Sequence, residues 1–290
     1  MTTKPIRQSA WFLMLPALSI LFLVGVIPLF TVVNHSLHDI FTLPEKYWVG
    51  GEWYQEIISS SRFWHSLGRS TFFSLIVLSI QIPLGIFIAL ALPRRGVLVS
   101  VCLVITALPL LLPWNIIPGI WLSLINPETG IVGRLMQSAG IILDWKFNAV
   151  HTWIVIVMLD VWHWTSLVVI LCYSSLSTIA LPYYQAAAID AASRLQVFRY
   201  IQFPRMRSVL LMVLLLRFMD SFMIYTEAFR INAGGPHFAT HFLAIDLAEE
   251  INAFNYGPAA ARSVVYFLMV LCVAWAFKTA LFASEKQKVR

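Results

Sequence analysis

The chain has 290 residues, of which 59% are hydrophobic and 12% charged, with a mean hydropathy of +0.79. A soluble fold of this size cannot hide so much apolar surface, which excludes aqueous enzymes, disordered chains and nucleic-acid binders despite a formal charge of +6. The bilayer is the expected solvent, so the surplus of 20 Lys and Arg over 14 Asp and Glu reports orientation and contact with membrane lipid.

No Asp, Glu, Lys or Arg occurs between Arg7 and Asp39, from Ser70 to Pro93, or from Gly96 to Pro127. Each run exceeds the roughly 20 residues a helix needs to cross about 30 Å of hydrocarbon, and spans are expected at 10–34, 70–93 and 98–124. A fourth, 151–177, carries Asp160; a fifth, 208–229, carries Arg217, Asp220 and Glu227; a sixth, 263–282, carries Lys278 where it can snorkel to the head groups. The first run follows Lys4 and Arg7 as a signal peptide would, but it is too long and lacks a small-x-small cleavage site, so it is expected to be retained. Cys102, Cys172 and Cys272 each lie in an apolar stretch and read as small hydrophobes rather than a disulfide framework.

The expectation is an all-α membrane protein, one transmembrane domain over 1–290 with six helices and both termini on one side. With the termini cytoplasmic, Lys4, Arg7, Arg94, Arg95, Arg194, Arg199, Arg205, Arg207, Lys278, Lys286, Lys288 and Arg290 fall inside, against Lys46, Arg62, Arg134, Lys146 and Arg230 outside. That asymmetry selects cytoplasmic termini. Trp11, Trp64, Trp121, Trp145 and Trp153 fall near span ends and read as an interfacial belt.

Between the fourth and fifth spans, a cytoplasmic segment over 178–207 is too rich in signals for a plain connector. Pro182 suits a helix start, and the Ala-rich stretch Gln185 to Ala192 favours helix. Ala187 and Ala191, with Ala188 and Ala192, are expected to form a face free of bulk; a second short helix from Leu195 to Ile201 would present Phe198 and Ile201 before Pro204 ends it. The residues themselves leave two readings open, a docking surface for another protein or an amphipathic helix on lipid, which the four neighbouring arginines also favour.

This segment resembles the signature of the membrane subunits of binding-protein-dependent ABC importers, Glu-Ala-Ala-x-x-x-Gly followed by Ile-x-Leu-Pro. Gln185, Ala186, Ala187, Asp190, Ala191, Ala192, Phe198, Ile201, Phe203 and Pro204 fall on it, with Gln185 in place of Glu, Ala191 in place of Gly and Phe203 in place of Leu. Ile231-Asn232-Ala233-Gly234-Gly235-Pro236, Thr240 and Phe254-Asn255-Tyr256-Gly257-Pro258-Ala259-Ala260-Ala261 are similar to stretches of the carbohydrate-uptake, maltose-type permeases. Leu15-Pro16-Ala17 and Ile27-Pro28-Leu29 resemble the pattern of their first helix, and the run from Arg217 to Glu227 resembles a glycerol or polyol branch. The resemblance implies a type I ABC importer permease of the inner membrane, a second homologous permease beside it, a periplasmic or tethered solute-binding protein, and a coupling helix at 178–207 that docks on cytoplasmic ATPase subunits.

No Gly-x-x-x-x-Gly-Lys-Ser/Thr occurs among the thirteen glycines, so ATP and Mg are expected to be used by the partner ATPase and no cofactor by this chain. The rival reading is a proton-coupled secondary transporter in which Asp160, His163, Arg217, Asp220 and Glu227 form a relay. His237-x-x-x-His241 has metal-ligand spacing but lacks the glutamate of a metalloprotease helix. For a solute path the candidates are Asp160, Trp162, His163, Trp164, Arg217, Asp220 and Glu227. Arg217 and Asp220, three apart, can pair; Asp220 and Glu227, seven apart, would stack on one face of a continuous helix. The same ions also fit a helix–helix clamp that never meets solute.

Overall fold

A computed structural model describes residues 10–40, 45–93 and 96–286, with no side-chain account of 10–11 or 280–286. Lys4, Arg7, Arg94, Arg95, Lys288 and Arg290, which weigh on orientation, lie outside the described residues, as do the side chains of Trp11 and Lys286. Five helical stretches among the described residues are long and apolar enough to cross a membrane: Phe12–His35, Ser61–Ala91, Ala149–Ser177, Arg194–Asn232 and Tyr256–Thr279.

The run expected as one span at 98–124 is instead two helices, Val97–Leu111 and Ile117–Ile125. Fifteen residues rise only about 22 Å, short of the hydrocarbon thickness. Pro113 explains the break, because it lacks the N–H that would continue the helix past Leu111, while Pro118 sits in the first turn of the next helix, where no N–H is needed; the chain turns at Leu112–Ile116. Elsewhere proline is absorbed. Ala10–Leu21 continues into Ile27–His35 through a π-helical segment, Phe22–Val26, in which the Ile27 N–H donates to the Phe22 carbonyl just ahead of Pro28. The same device recurs where Arg194–Val197 passes through π-helical Phe198–Gln202 into Phe203–Phe222. The wider turn makes room for the Pro204 ring that an α-helical turn would deny, so Pro204 does not end the helix as expected.

Two compact units divide the chain. The first draws on Met1–Ser61 and Leu247–Met269. It holds an antiparallel pair of short strands, His38–Ile40 with Lys46–Trp48, and the helix Glu52–Ser59. Trp53 Nε1 donates to the His38 carbonyl at 3.2 Å, and a Cβ on Gly257 would sit 2.3 Å from that oxygen. The Tyr-Gly pair at 256–257 is therefore a close-packing requirement. Arg262 pairs with Glu250 at 3.0 Å.

The second unit draws on Arg62–Asp246 and Val270–Arg290. Its apolar core has two parts. One gathers Phe73, Val77, Ile117, Ile156, Leu159 and Phe242; the other gathers Ala89, Val168, Val169, Cys172, Met206 and Val213. Trp153 donates to the Ala239 carbonyl at 2.9 Å and packs, half-buried, on Phe72, Phe73 and Phe242 at the edge of this core. The Gly-Gly-Pro turn is a backbone device: Ala233, Gly234 and Gly235 all have positive φ, and a Cβ on Gly235 would lie 2.6 Å from Thr240 Oγ1. His241 in the same unit meets Arg62 and Ser66, and no metal-holding group of His, Cys, Asp and Glu occurs among the described residues.

Gly85 sets the approach of Ser61–Ala91 to Ala149–Ser177, since a Cβ there would fall 2.5 Å from Val168 Cγ1 and 2.6 Å from its Cβ. Val168 is β-branched, fully buried and has little rotamer freedom in a helix. Gly85→Ala should therefore lower the stability of the purified protein by about 1–3 kcal/mol, read as a fall in Tm in detergent. Gly68→Ala, with open space at its Cβ, should not.

Candidate translocation cavity and coupling segment

An arginine in the hydrocarbon region must be neutralised in place, and Arg217 is met from three sides. Its Nη2 lies 2.8 Å from Asp160 Oδ1, its Nη1 pairs with Asp220, and its Nε donates to Gln81 Oε1 at 3.1 Å. Gln81 closes the ring by donating to Asp160 Oδ1 at 2.7 Å and to the Asp160 carbonyl at 3.1 Å. The guanidinium carbon sits 4.5 Å from the centre of the Trp164 ring, a cation–π contact. Arg217 and Asp160 are 1% and 2% exposed, whereas Asp220 is 48% exposed. The pair expected from spacing, Arg217 with Asp220, is thus the outer half of a three-helix network whose buried half is Asp160 and Gln81.

Beside this network lies a cavity of about 880 Å³, lined by Leu110–Trp114, by Asp160, His163 and Trp164, and by Leu216, Met219, Asp220, Met223–Tyr225 and Glu227. Two of its walls are helix interruptions. One is the proline-rich break near 112–116; the other is Met223–Tyr225, where Phe203–Phe222 stops before Thr226–Asn232 begins. The second break corrects the sequence expectation of a continuous helix over 208–229. Asp220 and Glu227 do not stack by helical repeat; they meet the same cavity from two different helices. Irregular backbone at membrane depth is tolerated where it lines a cavity, because its polar groups are not presented to lipid.

Of the seven solute-path candidates, five line the cavity: Asp160, His163, Trp164, Asp220 and Glu227. Arg217 stands behind the wall. Trp162 turns away and packs edge-on against Trp121. Sequence reasoning missed Gln81, Trp114 and Tyr225. Gln81 carried a signal as the one amide in an otherwise uncharged 24-residue run from Ser70 to Pro93, while the break at Met223–Tyr225 has neither proline nor glycine to announce it.

The segment over 178–207 forms Leu181–Ile189, with Pro182 in its first turn, then a turn, then Arg194–Val197. The first helix ends in paired C-terminal bonds, Ala192 N–H to the Ala187 carbonyl at 2.9 Å and Ala191 N–H to the Ala188 carbonyl at 3.2 Å. Such an ending needs a left-handed residue, and Ala191 supplies it at φ +51°. The glycine-like turn therefore forms with alanine in place. The second helix opens with a reciprocal capping box between Ser193 and Gln196. Ala187 is buried while Gln185, Ala186, Asp190 and Ala191 are exposed, so the expected smooth face through Ala187 and Ala191 turns partly inward. Phe198, Ile201 and Pro204 are half-buried. The most exposed aliphatic residues are Ile189 and Leu195, at 85% and 72%, and Tyr200 is exposed to the same degree as Leu195.

The geometry of the Arg217 network ranks its members. Arg217→Met strands the buried Asp160 carboxylate and should cost about 3–5 kcal/mol; Arg217→Met combined with Asp160→Leu should recover much of that, because no buried charge remains. Asp220→Ala, at a half-exposed site, should cost less than Asp160→Ala. Thermal unfolding of the four variants in detergent measures the ranking, and equal losses for Asp160 and Asp220 would contradict it.

Comparison with known proteins places these features in a family. Residues 81–281 match the family described as "Binding-protein-dependent transport system inner membrane component". Among curated relatives, the chain is 28% identical to the trehalose/maltose transport system permease protein MalF of Thermococcus litoralis, over 91% of this chain and 90% of that one. It is 26% identical to the diacetylchitobiose uptake system permease protein DasB of Streptomyces coelicolor, over 77% and 70%. Its fold is shared with a bacterial ABC transporter involved in the import of the acidic polysaccharide alginate, at a TM-score of 0.78, 16% identity and coverage of 94% and 95%. An amino acid ABC transporter matches at a TM-score of 0.52 and 16% identity, over 81% of this chain and 98% of that one. The matched stretch takes in the Arg217 network, the cavity and the 178–207 segment, and on that match the chain belongs to the family of binding-protein-dependent transport inner membrane components, as a multi-pass permease rather than an enzyme.

Proposed function

We propose that the chain is the transmembrane permease subunit of an ATP-driven importer that carries a small uncharged sugar or polyol across the inner membrane, glycerol being favoured within that class. The observation that carries the reading is the cavity, where aromatic faces of Trp114, Trp164 and Tyr225 and the polar atoms of Asp160, His163, Asp220 and Glu227 share one wall system beside two broken helices. Ring faces suit C–H groups, and the polar atoms suit hydroxyls. At about 880 Å³ the cavity falls in the range of about 300–1,000 Å³ typical of small-molecule pockets, which leaves room for a sugar as well as for glycerol. The names of the maltose/trehalose and diacetylchitobiose relatives support the class; the wording of the Arg217–Glu227 run supports the tilt toward polyols.

In this reading 1–290 works as one transmembrane domain with both termini cytoplasmic. It crosses six times, the third crossing being made of Val97–Leu111 and Ile117–Ile125. A second homologous permease completes the path, a periplasmic or tethered binding protein delivers the solute, and ATPase subunits that use ATP and Mg dock on Gln185, Ala186, Asp190, Ala191 and their neighbours. The assembled transporter in vesicles should take up glycerol or a sugar only with ATP and Mg inside the ATPase compartment, and should continue when the proton gradient is collapsed. Uptake driven by the gradient alone, or stimulation of hydrolysis only by an amino acid or phosphate, would overturn it.

The docking half has its own test. Ile189 and Leu195 are exposed at the facing ends of two short helices, on either side of the turn that joins them, where a groove on another protein would cover them. Ile189→Asp and Leu195→Asp should leave the amount of chain in the membrane unchanged and reduce both ATPase co-purification and uptake at least tenfold. Normal recruitment and transport in both variants would instead mark the segment as a lipid-surface helix.

A further inference from the structure

Charge is distributed unevenly around the cavity. Its described lining contains the carboxylates of Asp160, Asp220 and Glu227 and no lysine or arginine. Arg217, the nearby cation, is set back from the lining, 1% exposed, and already held by Asp160, Asp220 and Gln81 with its flat face covered by Trp164. Glu227 is buried, lines the cavity, and makes no ion pair among the described residues. His163 is 3% exposed and borders the same space.

We propose that this cavity selects solutes by charge, with Asp220 as the selecting residue, reinforced by Glu227 in its ionised form: it takes neutral hydroxyl-rich solutes and their amino-substituted, cationic analogues, and it rejects carboxylated or phosphorylated ones. The inference rests on the reading of the cavity as the solute path. Two like unit charges about 5 Å apart at an effective dielectric of about 20 shift a rate or affinity on the order of a hundredfold. Asp160 and Asp220 share the single charge of Arg217, which leaves that network one negative charge in excess, and an anion entering beside Asp220 and Glu227 bears the penalty with no lysine or arginine among the described lining residues to offset it. A cation gains by the same term, and a neutral polyol is indifferent to it, bonding instead to the carboxyl oxygens of the lining. The selection is thus independent of whatever preference the delivering protein has.

The test reads the electrostatics of the cavity without using the natural solute. Cys102, Cys172 and Cys272 are replaced by alanine, Met223→Cys is introduced at a lining position between Asp220 and Glu227 in sequence, and the assembled transporter is treated with a cationic ammonium or an anionic sulfonate methanethiosulfonate. In each reaction the thiolate displaces the sulfinate leaving group and a mixed disulfide forms. Relative to a free thiol in solution, the cationic reagent should react at least tenfold faster than the anionic one, and Asp220→Asn with Glu227→Gln should bring the ratio back to the solution value. Glu227→Gln alone disturbs no ion pair and should move the ratio part of the way, which keeps the test open if Asp220→Asn impairs assembly. An unshifted ratio, a ratio favouring the anion, or no reaction with either reagent overturns the proposal. ATP-driven uptake is measured on the labelled transporter in parallel. Blocked uptake with a flat ratio discards the charge selection and leaves the path intact, whereas normal uptake after full labelling removes the path and the selection together.

Discussion

A guanidinium group placed among apolar helices must be neutralised where it stands, and most of what is distinctive in this chain follows from how Arg217 is satisfied. Its partners come from two other helices, Gln81 on Ser61–Ala91 and Asp160 on Ala149–Ser177, so three long helices are held in one rotational register by side-chain hydrogen bonds. Each helix could slide or rotate in a purely apolar contact at small cost. With this ring in place, any rotation leaves a buried charge or amide unpaired, and that penalty exceeds the gain from a typical packing rearrangement. Gly85 works in the same direction, letting Ser61–Ala91 approach Val168 closely enough for Gln81 to reach Asp160.

The network also explains why the cavity lies where it does. Asp160 is consumed by the pair, but Asp220 approaches Arg217 from the opposite side and remains open, and Trp164 covers the guanidinium while lining the cavity. The two interruptions, Leu112–Ile116 and Met223–Tyr225, sit against the same space. A helix end frees backbone carbonyls and N–H groups, and such groups are useful only where a polar solute or water meets them. Broken helices, aromatic faces and carboxylates thus converge at one place for related physical reasons.

Where the backbone does not need to break, it widens. The π-helical turns ahead of Pro28 and Pro204 carry two helices past residues that would otherwise stop them. The turn at Pro204 makes the helix that starts at Arg194 continuous with Phe203–Phe222, which carries Arg217 and Asp220, whereas Leu181–Ile189, the first helix of the 178–207 segment, is set off from it by the turn over Asp190–Ser193. Ala191, holding a left-handed turn that glycine would hold with less strain, fixes the angle between the two short helices of that segment.

Composition alone determined the solvent of this protein: uncharged runs longer than a bilayer is thick admit no aqueous fold. The order of residues determined the positions of most helices, because Ala149–Ser177 and the long terminal helices require only hydrophobic length and suitable ends. It also marked Asp160, Arg217, Asp220 and Glu227 as costly and therefore meaningful, and the resemblance of 178–207 to a known signature pointed to the family. What the sequence left open depended on contacts between distant segments. Nothing local told that Asp160, 57 residues before Arg217, is its buried partner, that Trp162 faces away while Trp164 faces in, or that the helix after Asp220 stops without a proline or glycine. Those outcomes are decided by which face of each helix the others cover, and helical period fixes only the spacing of faces, whereas the tertiary packing fixes their direction.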